Sequence, residues 1–87
     1  MARILIIDDD QHSVSILQRV LSRFNHDILH ASKGLTGLQI AASEPIDLVL
    51  LELTLPDIGG HTVAALINRI PGNIPVVAVT NNVDSAT

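Results

Sequence analysis

A chain of 87 residues has room for one small domain, which buries a smaller share of its surface than a larger one and keeps little stability in reserve. The absence of cysteine excludes disulfide staples and thiolate metal sites, and a net charge of −4, with five scattered Lys and Arg, leaves no basic footprint for nucleic acid. Hydrophobic residues make up 47% of the sequence and Phe24 is its single aromatic, a balance that excludes a disordered segment. It suits strands of Ile, Val and Leu covered by Ala- and Leu-rich helices. No apolar run approaches the length of a membrane span, and Ile4 to Ile7 is too short for the core of a signal peptide. The expectation is a single domain over 1–87, cytoplasmic, with no membrane and no nucleic-acid partner.

In chain order, Arg3 to Ile7 is an apolar strand that stops at three acids, Asp8-Asp9-Asp10. Helical spacing follows from Gln11 to Phe24, with Val14, Leu17, Val20, Leu21 and Phe24 facing inward. Ser15, Gln18, Arg19, Ser22 and Arg23 take the wet side. Asp10 suits the N-cap and Asn25 the stop. A second strand covers Asp27 to Ala31, then Ser32-Lys33-Gly34 makes a turn with Ser as the cap. The helix from Leu35 to Ser43 is weakened by Thr36 and Gly37 and ended by Glu44-Pro45.

The rest of the chain is arranged around Asp47 to Glu52. Leu48 to Leu51 has no polar break, the mark of a strand buried on both faces of a parallel sheet. An acid, Glu52, then stands where another apolar residue would continue the run, and Pro56 with Gly59-Gly60 forces a turn. Ligands of open α/β sheets bind in the crevice at the carboxyl ends of the strands, so Glu52 and the acids after the first strand read as site residues. Asp57 reads as an ordinary turn residue. A further helix runs from Gly60 to Ile70 with a Val63, Leu66, Ile67, Ile70 stripe, stopped by Pro71-Gly72. Ile74 to Val79 is a last short strand, with Pro75 early in it and Thr80 at its end. Strict alternation of strands and helices implies a parallel sheet with right-handed crossovers. His12, His26, His30 and His61 lack metal-ligand spacing and read as surface residues.

Taken together, Ile4-Leu5-Ile6-Ile7-Asp8-Asp9-Asp10, Ala31 with Gly34, Asp47-Leu-Val-Leu-Leu-Glu52, Leu55-Pro56-Asp57 with Gly59-Gly60, and Pro75-Val-Val-Ala-Val-Thr80 resemble the receiver domain of two-component response regulators, in that family's order and spacing. The resemblance implies a flavodoxin-like α/β fold, an open parallel sheet of order 2-1-3-4, without the family's fifth strand and last helix. It implies roles as well. In the family an Asp at the end of the third strand accepts a phosphoryl group, and here that place holds Glu52. Two acids after the first strand and a loop carbonyl hold Mg²⁺, which by position are Asp8, Asp9 and the carbonyl of Thr54, with Glu52 completing the acidic pocket. The family's switch hydroxyl matches Thr80.

Three departures shape the expected function. Glu52 carries one methylene more than Asp, and in-line attack depends on close positioning, so little or no phosphoryl transfer is expected. The family's Lys has no counterpart, so Glu52 lacks a cationic partner and the crowding of Asp8, Asp9 and Glu52 should raise at least one pKa. No cofactor is required; Mg²⁺ is compatible with the three carboxylates. Finally, Ile74, Val76, Val77 and Val79 would form an uncovered edge, and such edges seek partners, so a two-fold homodimer through this strand is expected. The resulting reading is a phosphorylation-independent, non-enzymatic signalling module that binds an unidentified protein or itself. The competing class is a Mg²⁺-dependent aspartyl-phosphate enzyme, since Asp8-Asp9-Asp10 also resembles the Asp-x-Asp start of haloacid-dehalogenase phosphatases. His12 stands where that family has Thr or Val, and its later motifs are missing.

Overall fold

The computed structural model describes residues 1–79. Seven elements alternate: β1 (Arg3–Ile7), α1 (Gln11–Ser22), β2 (Asp27–Ala31), α2 (Gly34–Ser43), β3 (Leu48–Leu51), α3 (Gly60–Ile67) and β4 (Val76–Ala78). The strands pair in parallel, as the alternation implies, in the order β2-β1-β3-β4, the flavodoxin-like arrangement expected from the family resemblance. Thr80 and the residues after it, including the expected switch hydroxyl, lie outside the described residues.

β1 is the central strand, in register with β2 from Arg3↔Asp27 to Ile7↔Ala31 and with β3 from Ile4↔Leu48 to Ile7↔Leu51. Its side chains alternate between two buried layers. Leu5 and Ile7 join Val49, Leu51, Ala31, Ala41, Val63 and Ile67 in the main core, under α2 and α3. Ile4 and Ile6 are also buried but fall outside that cluster, on the opposite face, where Val14 is the buried residue of α1. One layer is therefore thick and the other thin.

The thin layer accounts for two corrections to the α1 pattern. The helix ends at Ser22, not Phe24, and a turn closed by Phe24 N–H to Leu21 O (3.0 Å) and Asn25 N–H to Ser22 O (3.2 Å) follows it. Asn25 takes the left-handed conformation (φ 62°) that Asn tolerates at helix ends. Val20 and Phe24 are exposed, Phe24 at 67%, because among the described residues α1 alone covers this face of the sheet and its stripe overhangs. Leu17 and Leu21 are half-buried.

α3 likewise stops early, at Ile67, and Leu66 points outward while Val63 and Ile67 are fully buried. The regular strand β4 is only Val76–Ala78. Ile74, expected on the open edge, is instead 9% exposed and belongs to the main core. The side chain turns inward before the strand begins, and the edge surface reduces to exposed Val77 and Ala78 with half-buried Val76 and Val79. Among the described residues, no helix is long and apolar enough to cross a membrane.

Candidate functional site

Two backbone hydrogen bonds fix the ends of the central strands. The amide of Asp8 donates to Ala31 O (3.0 Å), and the amide of Glu52 donates to Ile7 O (2.9 Å). With Ile6 opposite Leu50 and Ile7 opposite Leu51, the next residues of the two parallel strands, Asp8 and Glu52, emerge side by side on one face. Neighbouring strands lie about 4.8 Å apart, so both carboxylates enter the same crevice at the carboxyl edge of the sheet.

Both are buried, Asp8 at 3% and Glu52 at 8% exposure. Asp8 Oδ1 accepts the Asp10 amide at 2.9 Å, and Glu52 Oε2 accepts the amide of the next residue, Leu53, at 2.7 Å. The remaining oxygens, Asp8 Oδ2 and Glu52 Oε1, make no hydrogen bond among the described residues. No cation sits beside either carboxylate: the ion pairs among the described residues join Arg3 to Asp27 and Glu44, at the far end of the sheet. Burial pushes the Asp8 carboxyl above the ordinary carboxylate range, and the negative charges of Glu52, Asp9 and Asp10 push it further. The Asp10 amide pulls in the other direction without cancelling the rise.

The other candidates scatter. Asp9 is exposed and reaches Asp8 only as a like charge. Asp10 caps α1, accepting the His12 amide (3.0 Å) and the Ser13 hydroxyl (3.1 Å), and these bonds hold its carboxyl below the ordinary range. Thr54 is exposed in the loop after β3. Among the described residues, no three acidic or histidine side chains gather into a metal site. The donor chemistry nevertheless fits a hard cation, since Mg²⁺ is commonly held by one or two carboxylates with water completing the shell. Asp8 and Glu52 would hold it, and the ion would offset their mutual repulsion.

Two histidines read as surface residues, and Asp57, read as an ordinary turn residue, have partners. His30 Nε2 lies 2.9 Å from the carbonyl oxygen of Asp8, fixing the backbone under the crevice, and His26 Nδ1 accepts the Ala2 amide at 3.0 Å. Asp57 accepts two amides at the start of α2, Gly34 and Leu35, each at 2.9 Å. That corrects the expected cap: Lys33, not Ser32, is the N-cap residue and supplies no side-chain bond. Sequence periodicity holds no signal for such a contact between segments more than twenty residues apart.

The chain and its sheet order are matched by known proteins. The model of the response regulator receiver domain family aligns with residues 4–87. The chain belongs to that family. The receiver is 33% identical over 82 residues to Protein PilH of Pseudomonas aeruginosa, covering 92% of this chain and 68% of that one. It is 32% identical over 78 residues to the probable transcriptional regulatory protein SilR of Salmonella typhimurium, covering 90% of this chain but 34% of the relative. Its fold superposes on a CheY-like receiver domain protein of Methanospirillum hungatei with a TM-score of 0.87 at 25% identity, covering 92% of this chain and 64% of that one. The receiver thus spans about a third of the length of SilR and about two-thirds of PilH and of the Methanospirillum hungatei protein. As a family member it is a signal-transduction module of the two-component type.

Proposed function

We propose that this receiver signals without being phosphorylated, as a non-enzymatic interaction module whose partners are proteins, one of them a second copy of itself. The observation that carries the reading is the state of Glu52. Its side chain is longer than the family's Asp, and one oxygen is already engaged by the Leu53 amide at 2.7 Å. A carboxylate nucleophile must be free and held in line with the phosphorus. The Leu53 bond ties one Glu52 oxygen back to its own loop and so fixes the direction in which the other, on a longer side chain than Asp, can attack; among the described residues no cation is paired with it to neutralise an incoming phosphoryl group. A buried negative charge at this place also resembles, in sign and position, the charge that phosphorylation would add. Residual Mg²⁺ binding by Asp8 and Glu52 is part of the proposal and is not required for the interaction.

Self-association is supported by β4. Among the described residues it is an edge strand, and Val76–Ala78 carries neither charge nor proline, the devices that usually blunt an edge; Pro75 lies just before it. The phosphorylation claim is tested by incubating the protein with acetyl phosphate and Mg²⁺ and reading the intact mass. No phosphoryl adduct and no phosphate release are expected. An adduct at Glu52 would return the protein to ordinary phosphorylated receivers, and steady release would make it an enzyme. Self-association is tested by sedimentation at micromolar concentration, where a monomer alone would remove that part of the proposal.

A further inference from the structure

We propose that Asp57 is the positioning residue of the acidic crevice: its two carboxylate oxygens tie the loop that carries the hydrogen-bond partner of Glu52 to the start of α2. The inference rests on the reading of the Asp8–Glu52 crevice as the functional site. The loop between β3 and α3 is closed at its base, where the Gly60 amide donates to Leu53 O at 2.9 Å. At its tip, Asp57 Oδ1 accepts from Gly34 and Oδ2 from Leu35, both at 2.9 Å. Beside that contact Ile58 lies against Gly34, so closely that a Cβ on Gly34 would stand 2.7 Å from Ile58 Cγ1. Leu53, whose carbonyl forms the base anchor, holds Glu52 Oε2 with its amide, and Thr54, whose carbonyl faces the family's metal position by resemblance, stands between the two anchors.

The dependence is mutual. The first amides of a helix have no partner within it, and Lys33 offers α2 no side-chain acceptor. An acceptor from another part of the chain therefore fills the place of a local cap, and both segments are held by one charged group. The two amides keep the Asp57 carboxyl ionised below the ordinary range, in keeping with a permanent contact near neutral pH. Freed at its tip, the loop keeps only its base bond, and the Leu53 amide loses its fixed aim at Glu52.

The test is amide hydrogen exchange, measured residue by residue by NMR on the full chain. Asp57→Ala should speed exchange at Gly34 and Leu35 by about tenfold and also speed it at Leu53, while amides of β1 keep their rates. Adding Lys33→Ser, which supplies a local cap, should slow Gly34 and Leu35 again and leave Leu53 fast. Should Asp57→Ala fail to fold, Asp57→Asn keeps one accepting oxygen and should give intermediate rates at Leu53. Unchanged exchange at Leu53 in Asp57→Ala, or its recovery with Lys33→Ser, would reduce Asp57 to a helix cap and overturn the proposal. A phosphoryl adduct, which would end the phosphorylation-independent reading, is seen by mass and leaves this comparison intact.

Discussion

Gly60→Ala is the perturbation that loads the crevice most directly. A Cβ at Gly60 would lie 2.5 Å from Leu53 Cα and 2.7 Å from Glu52 O, about 1 Å inside ordinary contact, and both obstacles are backbone. No rotamer relieves the clash, so the loop must open. Opening stretches the Gly60–Leu53 hydrogen bond, worth about 1 kcal/mol net, and adds roughly 1–3 kcal/mol of overpacking strain. The gain from stiffening the unfolded chain is about 0.4–1 kcal/mol, shared by any Gly→Ala change in this loop, so the net loss should be about 1–3.6 kcal/mol. At about 0.05–0.15 kcal/mol per residue, that is a large part of what a domain this small possesses. Its neighbour supplies the control: Gly59 has φ −65° and nothing within 4 Å of an added Cβ. Urea unfolding of the two variants, with a slope near 1 kcal/mol/M for a small domain, should separate their midpoints by about 2 M or more. Equal midpoints for Gly59→Ala and Gly60→Ala would refute the close approach of the loop to the end of β3.

Gly37→Ala should destabilise despite better helix propensity, because the added Cβ would meet Ile7 Cδ1 at 2.5 Å in a fully buried layer; about 1 kcal/mol of propensity opposes roughly 1–3 of overpacking, and a raised urea midpoint would contradict this. Asp8→Asn should stabilise the fold at pH 7. A carboxyl whose folded pKa is raised favours folding below its ordinary value of 3.8 and penalises it above the folded value, so the advantage of the variant should fade as pH falls through that window, and a variant less stable at pH 7 would count against the assignment. Phe24→Ser, at a 67% exposed site, should change unfolding free energy by less than about 0.5 kcal/mol, and a loss of several times that would place Phe24 in a core.

Much of this was legible in the sequence where local pattern and burial agree. The Leu48–Leu51 run reads as a strand inside the sheet, and it is one, although only Val49 and Leu51 are fully buried while Leu48 and Leu50, on the thin layer's side, are half-buried; acids directly after two such runs fall at the same edge of a parallel sheet. Capping by Asp10 and the stop at Asn25 depend on bonds to residues two or three positions away, so the sequence holds them. Failures of the reading share a cause. Val20 and Phe24 keep helical spacing, but spacing says nothing about how far the opposite layer extends, and beneath α1 it is thin; Leu66 keeps it too, yet α3 buries its Val63 and Ile67 face and leaves Leu66 outside. Ile74 sits next to an edge strand yet turns into the main core, the same buried cluster as Val49 and Ile67, which no local pattern announces. Gly37 looks like a weak point of a helix until Ile7 is seen packed against it. Asp57 looks like a turn residue because both its partners are remote in sequence.

The central claim is that Asp8 and Glu52 share one buried crevice as uncompensated charges. It is tested most directly by the titration of the Asp8 side-chain carboxyl carbon by NMR, with divalent cations removed, in the unmodified protein and in Glu52→Gln. The account predicts an Asp8 pKa above the ordinary 3.8 that drops part of the way back when the charge of Glu52 is removed, the remainder reflecting burial. An Asp8 pKa at or below the ordinary value, indifferent to Glu52→Gln, would show two carboxylates that do not meet.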